Sequence, residues 1–221
     1  MPAVDPRLVA ALRAQLERRE AALASGAEAV GWKLGMGDRE SIGGDIAVGH
    51  LTAATVMPSG AAFRTHTDAT LHADAELAVE LAEDVGEAGV RIGRYAVAVE
   101  LVDLAPLERE PESVVVSNVF HRAVAFGAWS ADSPEASAAG RLSVRSDVRA
   151  SARVPTDVLE RLLGAARILA SVGERLRAGD RVITGSIVQV PVHDGDDVVA
   201  AIDGLGVAAV SVVMPCRVQP R

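Results

Sequence analysis

Residues 70–82 alternate with a period of two. Leu71, Ala73, Ala75, Leu77, Val79 and Leu81 fall on one face, and His72, Asp74, Glu76, Ala78 and Glu80 fall on the other. A helix would scatter this pattern around its axis, so the segment is predicted as a strand with one apolar face. Residues 94–104 repeat the feature, with Tyr95, Val97, Val99 and Leu101 opposite Ala96, Ala98, Glu100 and Val102. Two long strands of this kind require a sheet and a layer to cover its apolar side.

The other face of these strands carries the chemistry. Asp74 and Glu76 leave the same face about 7 Å apart along the backbone. Like charges that close on a largely apolar strand are unfavourable unless water or a cation lies between them. Glu100 interrupts an apolar run, where an unpaired buried carboxylate costs several kcal/mol. A solvated outer face is the alternative reading for Asp74, Glu76 and Glu80. Three carboxylates with no cysteine beside them suit a hard, oxygen-liking ion, Mg²⁺ or Mn²⁺.

The rest of the chain is read around this sheet. Residues 5–25 are predicted as a helix: Asp5 caps it, Pro6 opens it, Leu8, Leu12 and Leu16 form a stripe, and Gly26 ends it. Arg13, Glu17, Arg18, Arg19 and Glu20 read as its solvated side. Residues 29–36 read as a short strand, 38–60 as a loop with at most one helical turn, and 61–65 as a short strand. Val114–Val116 and Ala123–Trp129 are strand candidates, 130–140 is a loop, and 142–153 is a hairpin. Residues 156–176 form a second helix, capped by Thr156, with an apolar stripe from Leu159 to Ala170. Arg181–Ile187, Val190–Val192, Val198–Ile202 and Val207–Val213 complete the strands. The expectation is two main helices and roughly eight to ten strands, an α+β chain that is mostly β.

Composition limits the function. The 221 residues are 49% hydrophobic but only 3% aromatic, and the formal charge is −8. So apolar a chain is not disordered. Its acidity and scarce aromatics argue against a nucleic-acid partner. Charges, Gly or Pro interrupt every apolar stretch before about 18 residues, so no transmembrane helix is expected. The N-terminus lacks a basic stretch followed by an apolar run, and a cytoplasmic location is expected. Cys216, the single cysteine, cannot form an internal bridge and reads as a small apolar filler.

Lys33 stands among apolar neighbours in Gly31-Trp32-Lys33-Leu34-Gly35-Met36. It either snorkels to water or serves beside a metal as a proton-transfer group or an anchor for an anion. Gly179-Asp180 opens a strand that ends in Thr184-Gly185-Ser186, whose amides and hydroxyls suit a carboxylate. Gly204-Leu205-Gly206 resembles the start of a dinucleotide fingerprint, but too little chain follows for the βαβ unit. His50, His66, His72, His121 and His193 show no zinc spacing. His72 shares a face with Asp74 and reads either as a structural histidine or as a neighbour of the carboxylates.

Taken in order, these segments resemble the 2-keto-4-pentenoate hydratase (2-hydroxypenta-2,4-dienoate hydratase) branch of the fumarylacetoacetate hydrolase superfamily. The matching stretches are Gly31–Met36, Asp74-Ala75-Glu76-Leu77-Ala78, Ala98-Val99-Glu100-Leu101-Val102-Asp103, Asn118, and Leu176–Ser186. The chain departs from the family pattern in three places. Asp74 replaces a glutamate, Leu104-Ala105 replaces a serine-arginine, and Val116-Ser117 replaces an alanine-aspartate before Asn118.

The resemblance implies a distorted β-roll or barrel with peripheral helices, in a single domain over residues 1–221. Residues 1–60 would supply an N-terminal helix and loop region, and 61–221 a β-rich catalytic core. It implies that Asp74, Glu76 and Glu100 ligate Mg²⁺ or Mn²⁺. Lys33 and Glu76 would be catalytic. Lys33, Thr184, Gly185 and Ser186 would bind substrate, with Asn118 and His72 as further contacts.

The implied reaction is a lyase step on a small 2-oxo acid of aromatic catabolism: hydration of 2-hydroxypenta-2,4-dienoate to 4-hydroxy-2-oxopentanoate. Alternatives are decarboxylation of a 2-oxo diacid such as 4-oxalocrotonate, hydrolysis of a carbon–carbon bond, or a non-catalytic binding or partner role. The histidine–glutamate pair of the superfamily's hydrolases is not found. A homo-oligomer is expected, with pairing to a decarboxylase or hydratase of the same pathway as a further option.

Overall fold

The computed structural model describes residues 4–35, 46–65, 69–86, 89–104 and 110–214. The two alternating segments become the longest strands, β5 (Leu71–Leu81) and β6 (Ile92–Asp103), paired antiparallel. Around them are α1 (Pro6–Ala24), β1 (Ala29–Gly35), β2 (Ala47–Thr52), β3 (Val56–Pro58) and β4 (Ala62–Arg64). Then come α2 (Pro111–Val116), β7 (His121–Phe126), β8 (Ala139–Val144), β9 (Asp147–Arg153) and α3 (Val158–Ala170). The chain ends with β10 (Arg181–Ile183), β11 (Val188–Pro191), β12 (Asp197–Ile202) and β13 (Gly206–Val213). No helix among the described residues is long and apolar enough to cross a membrane.

The strands make two sheets. The larger runs β2-β1-β10-β5-β6-β7-β3, with β11 also on β5, and the smaller runs β4-β13-β12-β8-β9. The odd-numbered side chains of β5 and β6 (Ala73, Ala75, Leu77, Val79, Val97, Val99, Leu101) share one core with Leu142, Val198, Ala200, Val210 and Val212 of the smaller sheet. α1 adds Leu8, Leu12 and Leu16 to it. Every odd residue of β5 that enters this core therefore leaves its even neighbour on the opposite face. Farther along that face, Ala78, Ala96 and Ala98 pack with Leu51, Val124 and Ile183 in a smaller apolar cluster. The result is a mostly β fold with a curled half-barrel sheet.

Several expectations are corrected by tertiary contacts. Residues read as loop contain β2 and β3. Their short runs, broken by Gly49 and Pro58, give no alternation to read, and β2 is held instead by its ladder with β1. Val114–Val116 are helical in α2 despite their β-branched side chains. Pro111 pre-sets the first turn, and Gln15 of α1 donates to Val115 O at 2.6 Å and to Val48 O at 3.0 Å. α3 is shorter than expected and starts after Asp157 rather than Thr156. Arg181–Ile187 is not one strand: β10 stops at Ile183 and β11 begins at Val188. Arg19 is not solvated, since it lies 4.8 Å from the Trp32 ring centre and pairs with Glu174 at 3.4 Å. His66 and Cys216 lie outside the described residues.

Candidate metal centre

Register brings the acidic residues together. Asp74 of β5 is directly opposite Glu100 of β6, and Glu76 is two residues along β5 on the same face. Each offers an oxygen, and these atoms all lie within 4.8 Å of one another. Asp74, Glu76 and Glu100 are 3%, 1% and 1% exposed, so water does not separate their charges.

Lys33 reaches the cluster from β1. It is 3% exposed, and its Nζ lies 2.5 Å from Glu100 Oε1 and donates to Val119 O at 2.9 Å. The snorkelling alternative is thus set aside. Burial and the neighbouring Glu100 charge push the Asp74 carboxyl up to about 7. Burial, then the charges of Glu100 and Asp74, raise Glu76 well above the usual range. Burial pushes Glu100 the same way, but Lys33 and His121 outweigh it and hold Glu100 below its ordinary value.

One ammonium cannot offset three buried carboxylates. A divalent cation can, and an all-oxygen donor set of this kind fits a hard ion. The residues present therefore fit Mg²⁺ or Mn²⁺ on charge and donor chemistry.

The break between β10 and β11 serves the same cluster. Thr184 N and Ile187 N donate to Leu77 O and Ala75 O, so the residues between them loop past Glu76. There Gly185, at φ 106°, donates its N–H to Glu76 Oε2 at 2.8 Å. Ser186 Oγ donates to Asp74 Oδ1 at 3.1 Å, and Gln189 Nε2 donates to Asp74 Oδ2 at 3.2 Å. A continuous strand would direct the Gly185 amide along the ladder instead.

The structure thus gathers Lys33, Asp74, Glu76, Glu100, Gly185 and Ser186. It gives Thr184 and Asn118 other contacts. The Thr184 hydroxyl donates to Leu77 O at 3.0 Å. Asn118 clasps the His50 main chain, accepting from His50 N at 2.7 Å and donating to His50 O at 3.0 Å. His72 shares the face of Asp74, and its buried Nδ1 has no hydrogen-bond partner among the described residues.

Sequence reasoning missed His121, Thr55, Gln189 and the Val119 carbonyl. His121 Nδ1 lies 2.7 Å from Glu100 Oε1, and its Nε2 lies 2.9 Å from Thr55 Oγ1. Asn118, Val119 and Phe120 have φ of 59°, 52° and 61°, a left-handed turn of three non-glycine residues. Such backbone costs about 1–3 kcal/mol per residue and persists only where its surroundings enforce it. Here it points the Val119 carbonyl at Lys33. A composition of Asn-Val-Phe carries no signal for that turn.

The family model described as fumarylacetoacetate (FAA) hydrolase C-terminal matches residues 32–213. No curated protein matches the chain. Among solved structures, 4-oxalocrotonate decarboxylase from Pseudomonas putida G7, complexed with magnesium and adipate, is similar. It has 22% identity over 93% of this chain and 86% of its own, with a TM-score of 0.85. Fumarylpyruvate hydrolase from Pseudomonas aeruginosa, in complex with Mn²⁺ and pyruvate, is 21% identical over 83% and 89%, with a TM-score of 0.64. 2-Hydroxyhepta-2,4-diene-1,7-dioate isomerase from Mycobacterium marinum is 20% identical over 86% and 78%, with a TM-score of 0.65. These likenesses support the fold, and the match across residues 32–213 makes the chain a member of the fumarylacetoacetate hydrolase family.

Proposed function

We propose that the protein is a divalent-metal-dependent enzyme that decarboxylates a small 2-oxo diacid of the 4-oxalocrotonate type. The observation that carries the reading is the buried Asp74–Glu76–Glu100 cluster with Lys33 in contact. The similarity to the P. putida decarboxylase, over 93% of this chain, favours decarboxylation over the hydration implied by the sequence motifs.

A bound divalent cation supplies Lewis acidity that stabilises the negative charge developing on a 2-oxo group. Asp74, Glu76 and Glu100 would hold it. When a conjugated diacid loses its distal carboxylate as CO₂, the bonding electrons move toward the 2-oxo end and the resulting dienolate takes up a proton. Lys33 is a proton-bearing group within this buried site, and its cationic charge favours the enolate. Ser186 and His72 share the neighbourhood of Asp74 and are assigned to substrate contact. The Gly185 amide holds Glu76 in place.

The test is an assay of the purified protein with Mg²⁺ or Mn²⁺. Stoichiometric CO₂ from 4-oxalocrotonate is expected. Loss of dienoate absorbance from 2-hydroxypenta-2,4-dienoate without CO₂ would replace this reading by the hydratase. Retained oxo-acid binding with no turnover of either would favour a non-catalytic binding role.

A further inference from the structure

His121 belongs to no motif, and a local irregularity delivers it to the cluster. The β6–β7 ladder shifts register between Leu101↔Ala123 and Val102↔His121, which leaves Arg122 as the extra residue of a bulge. Regular alternation from Val124, which pairs with Glu100, would send residue 121 to the opposite face of the sheet. The bulge turns it back toward Glu100, a re-aiming that bulges often perform. His121 is 5% exposed, so no solvent competes for its ring.

The ring is held at both nitrogens. A carboxylate oxygen 2.7 Å from Nδ1 calls for an N–H there. The Thr55 hydroxyl lies 2.9 Å from Nε2 and donates to Thr52 O at 3.1 Å. Glu100 thereby selects Nδ1–H as the donor that faces it, and Thr55 limits how the ring can turn.

We propose that His121 is a positioning residue for Glu100, its Nδ1–H anchoring Oε1 so that Oε2 is presented to an ion shared with Asp74 and Glu76. Lys33 Nζ approaches the same Oε1, so one oxygen of Glu100 takes both internal donors and the other remains for the ion. The inference rests on the metal reading above and adds to it a histidine that acts through a ligand. Partners of this kind commonly contribute about 10–100-fold to metal affinity.

The test is Mn²⁺ affinity, read by the paramagnetic resonance of free Mn²⁺, with unfolding of the metal-free protein measured in parallel. His121→Asn keeps an amide donor near the place of Nδ1, whereas His121→Gln moves it toward the place of Nε2. Expected are near wild-type affinity for His121→Asn and about 10–100-fold weaker binding for His121→Gln and His121→Ala. Thr55→Val should weaken binding in the same direction by less. Equal losses in His121→Asn and His121→Gln would mark a packing role and overturn the proposal. Wild-type affinity in all the His121 variants, with Glu100→Gln binding poorly, would overturn it and leave the metal site standing. A wild-type protein that binds no Mn²⁺ would overturn both.

Discussion

Gly49 faces Lys33 across the β1–β2 ladder, and the catalytic candidate occupies the space that a side chain at position 49 would need. A Cβ on Gly49 would lie 2.6 Å from Lys33 Cγ and 2.8 Å from Asn118 Oδ1. Neither neighbour can retreat cheaply, because Lys33 Nζ is tied to Glu100 and Val119 O, and Asn118 is tied to His50. Gly49→Ala is therefore expected to destabilise the protein by about 1–3 kcal/mol, the range for overpacking. It should also lower kcat by displacing Nζ. Denaturant unfolding and steady-state kinetics check this, and an active, fully stable variant would refute the packing argument.

Metal addition should stabilise the fold through the triad. A ligand at 100 times its Kd adds about 2.7 kcal/mol when it binds only the folded state. Mg²⁺ or Mn²⁺ should therefore raise Tm in the wild type, and chelator should reverse the rise. Glu76→Gln and Glu100→Gln should abolish the metal-dependent shift. Glu76→Gln should also relieve the crowding of buried charge in the metal-free protein, whereas Glu100→Gln leaves the Lys33 ammonium without its carboxylate partner. A metal-induced shift that survives in both variants would place the ion elsewhere.

The triad and Lys33 were legible because strand periodicity is strict. Residues 74 and 76 must share a face, and a carboxylate or ammonium inside an apolar run shows at once. Other parts of the site follow from tertiary contacts that leave no local trace. His121 faces Glu100 only because Arg122 is bulged, and Val119 holds Lys33 only through a left-handed turn. Thr184 and Asn118 match the expected motifs, yet the sheet and the β2 main chain take their polar atoms. The helix at Val114–Val116 shows the same limit, since docking against Gln15 overrides β-propensity.

His50 predicts a loss of stability on the acid side. Burial lowers its pKa from 6.5 to about 4, with Arg19 contributing positive charge nearby. Arg19 and Gln15 face it from α1, the latter with Oε1 3.3 Å from Nδ1, and His121 faces it from β7. In the unfolded chain the imidazole protonates below its ordinary pKa, so unfolding takes up a proton in that range. The stabilising contribution is complete above pH 6.5 and is lost as pH falls toward about 4. Its size is on the order of 2 kcal/mol, reduced from the full shift because the ring is only half-buried. His50→Gln keeps the main-chain clasp by Asn118 and should flatten this part of the stability profile. Denaturant unfolding across the range in both proteins is the measurement, and parallel profiles would refute it.

Lys33→Met separates catalysis from metal binding. The ammonium and a divalent ion both draw on the negative charge of Glu100, and they repel each other. Removing Lys33 leaves Glu100 buried with His121 as its remaining polar partner among the contacts described. Breaking a buried pair in this way costs about 3–5 kcal/mol, less whatever the carboxylate recovers by protonation. The metal-free variant should therefore unfold at lower denaturant than the wild type. Mn²⁺ should restore much of the difference, because the ion replaces the missing positive charge and meets less repulsion on entry. Activity should fall by at least about 100-fold even at saturating Mn²⁺, the lower end for loss of a proton-transfer group. Titration of Mn²⁺ against unfolding midpoint and turnover gives all three readings. A variant that loses Mn²⁺ binding while keeping its metal-free stability would show that Lys33 supports the ion rather than the reaction.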